Sequence, residues 1–114
     1  MKRLIFISIS VLLLAACTTQ KPLYTWENYE TTSYNYLKNS DEKATQELIK
    51  TYQKIIEKQK GTRATVPPGI YADYGFLLLQ ANKTEEGKAM LSKEIALYPE
   101  SKIFIDRILK ILEK

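Results

Sequence analysis

The stretch IYADYGFLLLQANKTEEGKAMLSKEIALYPES, residues Ile70 to Ser101, decides the fold. Its first part is apolar nearly all round, with Ile70, Tyr71, Tyr74, Phe76, Leu77, Leu78 and Leu79 inside ten positions. A short helix of that kind is buried between neighbours. Asn82 to Thr84 reads as a turn, with Thr84 capping a helix over Glu85 to Leu97. Glu85 and Glu86 sit favourably near its positive end, and Pro99 stops it. Gly75 and Gly87 remove side chains where two antiparallel helices must cross closely. Tyr71, Tyr74, Leu78 and Leu91 fill the space around them.

These residues fall in register with a known pattern. The tetratricopeptide repeat reads W-x2-L-G-x2-Y, then A-x3-F, then P. Here it becomes Tyr71-x2-Tyr74-Gly75-x2-Leu78, then Gly87-x3-Leu91, then Pro99. Tyr71 replaces Trp, Gly87 replaces Ala, and Glu94 stands where a second alanine is usual. The stretch resembles one such helical hairpin. The resemblance implies that the first helix lines a binding face, which makes Tyr71, Tyr74 and Leu78 the candidate partner-binding residues. One hairpin cannot bury both of its faces, so it must stack on others.

The rest of the chain supplies them. From Trp26 to Leu37, the positions Trp26, Tyr29, Ser33, Tyr36 and Leu37 share a helical face. Asn39 and Glu42 form a candidate capping box for a second helix reaching about Lys60. Its apolar stripe is Ala44, Leu48, Tyr52, Ile55 and Ile56. Gly61 to Pro67 is the linker between two helical halves. After Pro99, Ser101 is placed to cap a fifth helix to about Leu112. Phe104, Ile105, Ile108, Leu109, Ile111 and Leu112 cover one arc of it, and Ile103 lies off that arc. That helix reads as a cap on the last repeat or as a docking helix. The sequence thus predicts an all-α fold of about five antiparallel helices in a tetratricopeptide-like hairpin stack.

A cleaved signal peptide is expected before that stack. Lys2 and Arg3 precede an apolar run from Leu4 to Leu14, too short to span a bilayer of about 30 Å. Leu14-Ala15-Ala16-Cys17 follows and resembles the lipobox of bacterial lipoproteins. The resemblance implies cleavage between Ala16 and Cys17, lipidation of Cys17 and attachment to the membrane through its acyl chains. An ordinary signal peptide containing a cysteine is the plainer alternative. The expected organisation is residues 1–16 as signal, 17–25 as acylated N-terminus and tether, and 26–114 as a single helical domain. The lipoprotein resemblance, with Thr18 where enterobacterial lipoproteins kept at the inner membrane have an aspartate, implies the outer membrane, facing the periplasm.

Without residues 1–16, 98 of the 114 residues remain, enough for one small domain. Fifteen basic residues then face thirteen acidic ones, so no electrostatic case for nucleic acid survives. There is no histidine and one cysteine, which excludes His- or Cys-based metal sites and Cys–His or Ser–His–Asp nucleophiles. No cofactor is implied. An enzyme would need a carboxylate pair, such as Asp73 with a distant acid, and the expectation is a non-enzymatic protein. Tyr24, Trp26 and Tyr29 lie in the densest aromatic stretch. They either close the first helix onto the second or form an interface with the membrane or a partner.

Several landmarks together resemble one family. They are the lipobox, then Pro22-Leu23-Tyr24-Thr25-Trp26-Glu27-Asn28-Tyr29, then Val66-Pro67-Pro68-Gly69, then Leu97-Tyr98-Pro99-Glu100-Ser101. The family is that of small Gram-negative lipoproteins classed as the 4810 domain of unknown function. Glu27 stands where its pattern has glycine. The family carries no assigned activity. Its members are often encoded beside a lipoprotein resembling the curli secretion channel. The resemblance therefore implies an envelope protein, with another lipoprotein or channel component as partner. The expected function is an adaptor in a secretion or surface-assembly complex. The alternative is a scaffold or regulator of peptidoglycan synthesis or hydrolysis enzymes.

Overall fold

The computed structural model describes residues 1–15 and 21–113. Among these the only regular structure is helical. Helix α1 covers Lys2–Ala15, the charged start and apolar run expected to form a signal peptide. No described helix is long and apolar enough to cross a membrane. Ala16 and Cys17, the expected cleavage and lipidation positions, lie outside the described residues.

Helix α2, Tyr29–Asn39, starts three residues later than its periodicity suggests, because a turn comes first. The Tyr29 N–H donates to the Trp26 carbonyl at 3.1 Å, and Glu27 adopts φ +49. Glycine takes that conformation without steric cost. The turn is thus kept although the residue there is glutamate. Buried Thr51 steadies the turn by donating to Asn28 Oδ1 at 3.1 Å.

Helix α3, Glu42–Glu57, is capped by Asp41 rather than Asn39. Asp41 has the extended backbone of an N-cap, and its Oδ1 accepts the Ala44 N–H at 2.7 Å. Ser40 takes up the reversal after α2 with φ +48, which leaves Asn39 inside α2. Of the expected stripe, Ala44, Leu48, Tyr52 and Ile55 are buried and Ile56 is half-buried, with Thr51 added to the buried side. The helix stops at Glu57, short of Lys60, and the chain turns to meet the residues before α2.

That meeting ties down residues assigned above to a tether. Thr25 and the Gln59 amide exchange two hydrogen bonds, of 3.1 and 3.0 Å. The Lys60 N–H donates to Thr25 Oγ1 at 2.7 Å. The Thr62 and Arg63 N–H groups donate to the carbonyls of Pro22 and Leu23 at 3.0 and 3.1 Å. Gly61 is required here, because a Cβ would run into the Leu23 backbone. The described hydrogen bonds between the two segments thus reach back to Pro22, ahead of Trp26.

Helices α4, Ile70–Gln80, and α5, Thr84–Leu97, form the second hairpin. They cross at Gly75 and Gly87. A Cβ on Gly75 would stand 2.9 Å from Leu91 side-chain carbons, and one on Gly87 would stand 2.8 Å from the Gly75 oxygen. Lys83 holds the cap position of α5 and Thr84 is its first helical residue, without a side-chain cap bond. Asn82, at φ +63, has already reversed the chain. A 3-10 turn over Pro99–Ser101 leads into α6, Lys102–Leu112. Ser101 belongs to that turn, so its hydroxyl does not cap α6.

Two apolar clusters hold the stack together. Leu48, Tyr52, Ile55, Val66, Ile70, Tyr74, Leu77 and Leu78 join the first hairpin to the second. Ala72, Leu91 and Ile105 join the second hairpin to α6. Each fully buried Leu or Ile contributes about 1.5–3 kcal/mol, so these clusters carry much of what holds the hairpins together. Helix α6 uses a narrow part of its apolar arc. Ile105 is fully buried, whereas Phe104, Ile111 and Leu112 stay exposed with Ile103.

Candidate partner-binding cleft

Tyr29, Ser33, Tyr36 and Leu37 recur at helical spacing, so α2 presents them together. Opposite them α4 presents Asp73, Leu77 and Gln80, and α3 closes the floor with Leu48 and Tyr52. The result is an open cleft of about 260 Å³. Among the described residues no basic side chain lines it.

Its walls are aromatic. The rings of Trp26, Tyr29, Tyr52 and Tyr74 follow one another with centroid separations of 5.8, 5.9 and 5.4 Å. Such pairs stabilise beyond their buried area, by about 0.5–1.5 kcal/mol each. The chain of rings crosses from the first hairpin to the second and stiffens the floor.

Asp73 is the one carboxylic acid lining the cleft among the described residues. Its Oδ2 accepts the Tyr29 hydroxyl at 2.8 Å, a bond between residues 44 apart in sequence. The carboxyl is accessible from the mouth, yet the surrounding protein desolvates it enough to raise its pKa, with the Tyr29 bond pulling the other way. The Tyr29 hydroxyl is pushed up to about 12 by burial first, then by its bond to Asp73 and that group's charge. Burial raises Tyr52 as well, helped by the Asp73 charge. Among the described residues the one ion pair is Lys102 with Asp106, so Asp73 has no cationic partner there.

The expected binding residues do not gather at this cleft. Tyr74 is 8 % exposed and Leu78 3 %, and both belong to the core. The reason is the all-round apolarity of α4, which packs against α3 and α5 at once and keeps only its Asp73 and Gln80 edge open. The Tyr74 hydroxyl is satisfied internally, accepting from Gln53 Nε2 at 3.4 Å. Tyr71 is half-buried, with the Lys93 ammonium 5.8 Å from its ring centre. Of the aromatic stretch, Tyr24 is half-buried with the Arg63 guanidinium 5.9 Å from its ring, Trp26 is 43 % exposed, and Tyr29 belongs to the cleft.

Asp73, Tyr36 and Gln80 were not singled out as binding residues by sequence. Tyr36 shares the helical face of Tyr29 and Ser33, so that half of the cleft had a local signature. Asp73 had one as well, since it is the only charged residue in α4. Glu94 was marked only as a departure from the repeat pattern. It is 1 % exposed, and its Oε1 accepts the Gly69 N–H at 2.8 Å while Oε2 has no partner among the described residues. It pins the Val66–Gly69 loop to α5 from below the surface. No group of three or more potential metal-ligating side chains gathers among the described residues.

Neither the curated proteins nor the solved structures contain a match to the chain. Residues 23–108 match the domain of unknown function DUF4810. That span starts where Leu23 pairs with the 59–63 loop and ends inside α6, so it covers the cleft and both hairpins. The chain belongs to the DUF4810 family.

Proposed function

We propose that the protein is a lipid-anchored, periplasm-facing outer-membrane lipoprotein. It acts as a non-enzymatic adaptor with a tetratricopeptide-like fold, presenting the α2–α4 cleft to another envelope protein in a secretion or surface-assembly complex. The observation that carries the reading is the cleft itself, an open, aromatic-walled groove between two stacked hairpins with a single carboxylate in it. That combination suits recognition. A lone acid beside a tyrosine hydroxyl provides neither a nucleophile–base pair nor two cooperating carboxylates.

The anchoring half of the proposal rests on the Leu14-Ala15-Ala16-Cys17 pattern and on chain length. Cys17 lies five residues before Pro22, a reach of about 17 Å when extended. Exposed Leu23 and Trp26, with Lys21, Lys60 and Arg63 near them in the paired segments, would face the lipid headgroups.

The test is crosslinking in cells, mild detergent extraction and recovery through a C-terminal tag, with Cys17→Ser alongside. Recovery of an oligomeric channel lipoprotein, lost in Cys17→Ser, is the expected result. Recovery of peptidoglycan synthases or hydrolases instead would replace the secretion reading with the cell-wall one.

A further inference from the structure

We propose that the α2–α4 cleft is a receptor for one cationic side chain, a lysine or an arginine, carried by a protein partner. This rests on the adaptor reading and names the chemistry the adaptor recognises. Three tyrosines, Tyr29, Tyr36 and Tyr52, line the cleft together with the Asp73 carboxylate. Aromatic rings attract cations through the negative potential of their faces, most strongly where water is partly excluded. Asp73 adds a formal charge and has no cation of its own among the described residues. The Tyr29 hydroxyl donates to Oδ2 and so fixes the carboxylate's orientation before any ligand arrives.

Size and polarity narrow the ligand. At about 260 Å³ the cleft lies below the range of about 300–1,000 Å³ common for small-molecule sites, and suits a single long side chain. Leu37, Leu48 and Leu77 offer apolar contact for the methylene stem of such a side chain. Leu37 is 78 % exposed, too open to serve the core, and stands where a partner's flanking residues would cover it. Ser33 and Gln80 supply hydrogen-bonding groups for the partner's backbone. A free small amine would use the rings and the carboxylate and leave Leu37 uncovered, so the observations favour a protein side chain.

The full chain in detergent micelles is titrated with Nα-acetyl-lysinamide, Nα-acetyl-argininamide and the neutral Nα-acetyl-norleucinamide, followed by backbone amide chemical shifts. The expected result is saturable shifts centred on Tyr29, Ser33, Tyr36, Asp73 and Gln80 with a cationic probe. Norleucinamide should bind about tenfold more weakly, and Asp73→Asn should weaken the cationic probes about tenfold. Asparagine keeps an acceptor for Tyr29, so the variant retains the cleft's shape. Equal affinity for norleucinamide, or an unaffected Asp73→Asn, would overturn the proposal. Tetramethylammonium binding as tightly as the amino-acid amides would overturn the assignment to a protein side chain. The adaptor reading is judged separately, by partner recovery from cells. Failure to recover any partner from the parent while the probes still discriminate sinks the adaptor reading alone, and partner recovery unchanged in Asp73→Asn overturns the claim that the partner carries the cation. Recovery lost in Leu37→Asp with no discrimination among probes sinks the cation site alone.

Discussion

Gly75 and Gly87 face each other so closely that a Cβ on Gly87 would lie 2.8 Å from the Gly75 carbonyl oxygen and 2.9 Å from Leu79 Cγ. Alanine has the better helix propensity by about 1 kcal/mol, which opposes the steric cost. A clash with backbone in a packed crossing outweighs it, since overpacking costs about 1–3 kcal/mol and a carbonyl cannot rotate away. Gly87→Ala is therefore expected to lower stability by about 1–2 kcal/mol in urea unfolding. Gly75→Ala meets Leu91 side-chain carbons as well as the Gly87 oxygen at 3.0 Å, and is expected to lose less because Leu91 can shift.

Glu27 provides the opposite case. Its φ of +49 is the left-handed region, costly for a residue with a Cβ and free for glycine. Glu27→Gly is expected to raise the unfolding free energy by up to about 1 kcal/mol, the relief of strain exceeding the added flexibility of the unfolded chain. A loss of stability would mean that the glutamate side chain contributes a contact that the relief cannot match.

Asp73 links stability to pH. Desolvation raises its carboxyl above the ordinary 3.8, so over the interval between the two values the folded chain holds more proton than the unfolded one. Its contribution is then most favourable below 3.8 and is lost as pH rises through the folded value. Asp73→Asn is expected to be at least as stable as the parent at pH 7, with that advantage shrinking towards acid. Thermal unfolding from pH 3 to pH 7 reads it directly. A variant less stable at pH 7, with the deficit vanishing in acid, would show the carboxylate to be stabilised where it stands.

The Val66–Gly69 loop hangs on two bonds from α5 and its end. Glu94 Oε1 accepts the Gly69 N–H at 2.8 Å, and the Tyr98 hydroxyl donates to the Val66 carbonyl at 2.7 Å. Tyr98→Phe is expected to cost about 1 kcal/mol. Glu94→Ala leaves the half-buried Gly69 N–H without its partner and opens a hole where the buried side chain stood, and is expected to cost about 2–4 kcal/mol. Both should speed hydrogen exchange at the Gly69 and Ile70 amides before the rest of α4.

The legible parts of this fold were those with a local period. Ala44, Leu48, Tyr52 and Ile55 repeat every three or four residues and are buried, while Ile56, the fifth of that stripe, is half-buried. Gly75 and Gly87 sit in a spaced pattern, and they do meet. Capping was misread because Asn39, Ser40 and Asp41 are all plausible caps, and only the reversal at Ser40 decides among them. The cleft was half legible. The α2 wall follows from helical spacing, whereas the Tyr29–Asp73 bond joins residues that no window covers. Tyr74 and Leu78 were placed on a binding face by analogy with repeat arrays, but in so short a stack α4 is the central helix and its apolar residues are needed inside.

The pairing of residues 22–25 with 59–63 decides where mechanical load would enter the fold. A pull from a membrane attachment at Cys17 would not peel α2 from its end. It would reach the loop between the hairpins first, through hydrogen bonds spread along two crossing segments. If the chain is lipid-anchored as proposed, a leash fastened at the middle of the fold would share a tug between the hairpins and spare the α2–α4 groove.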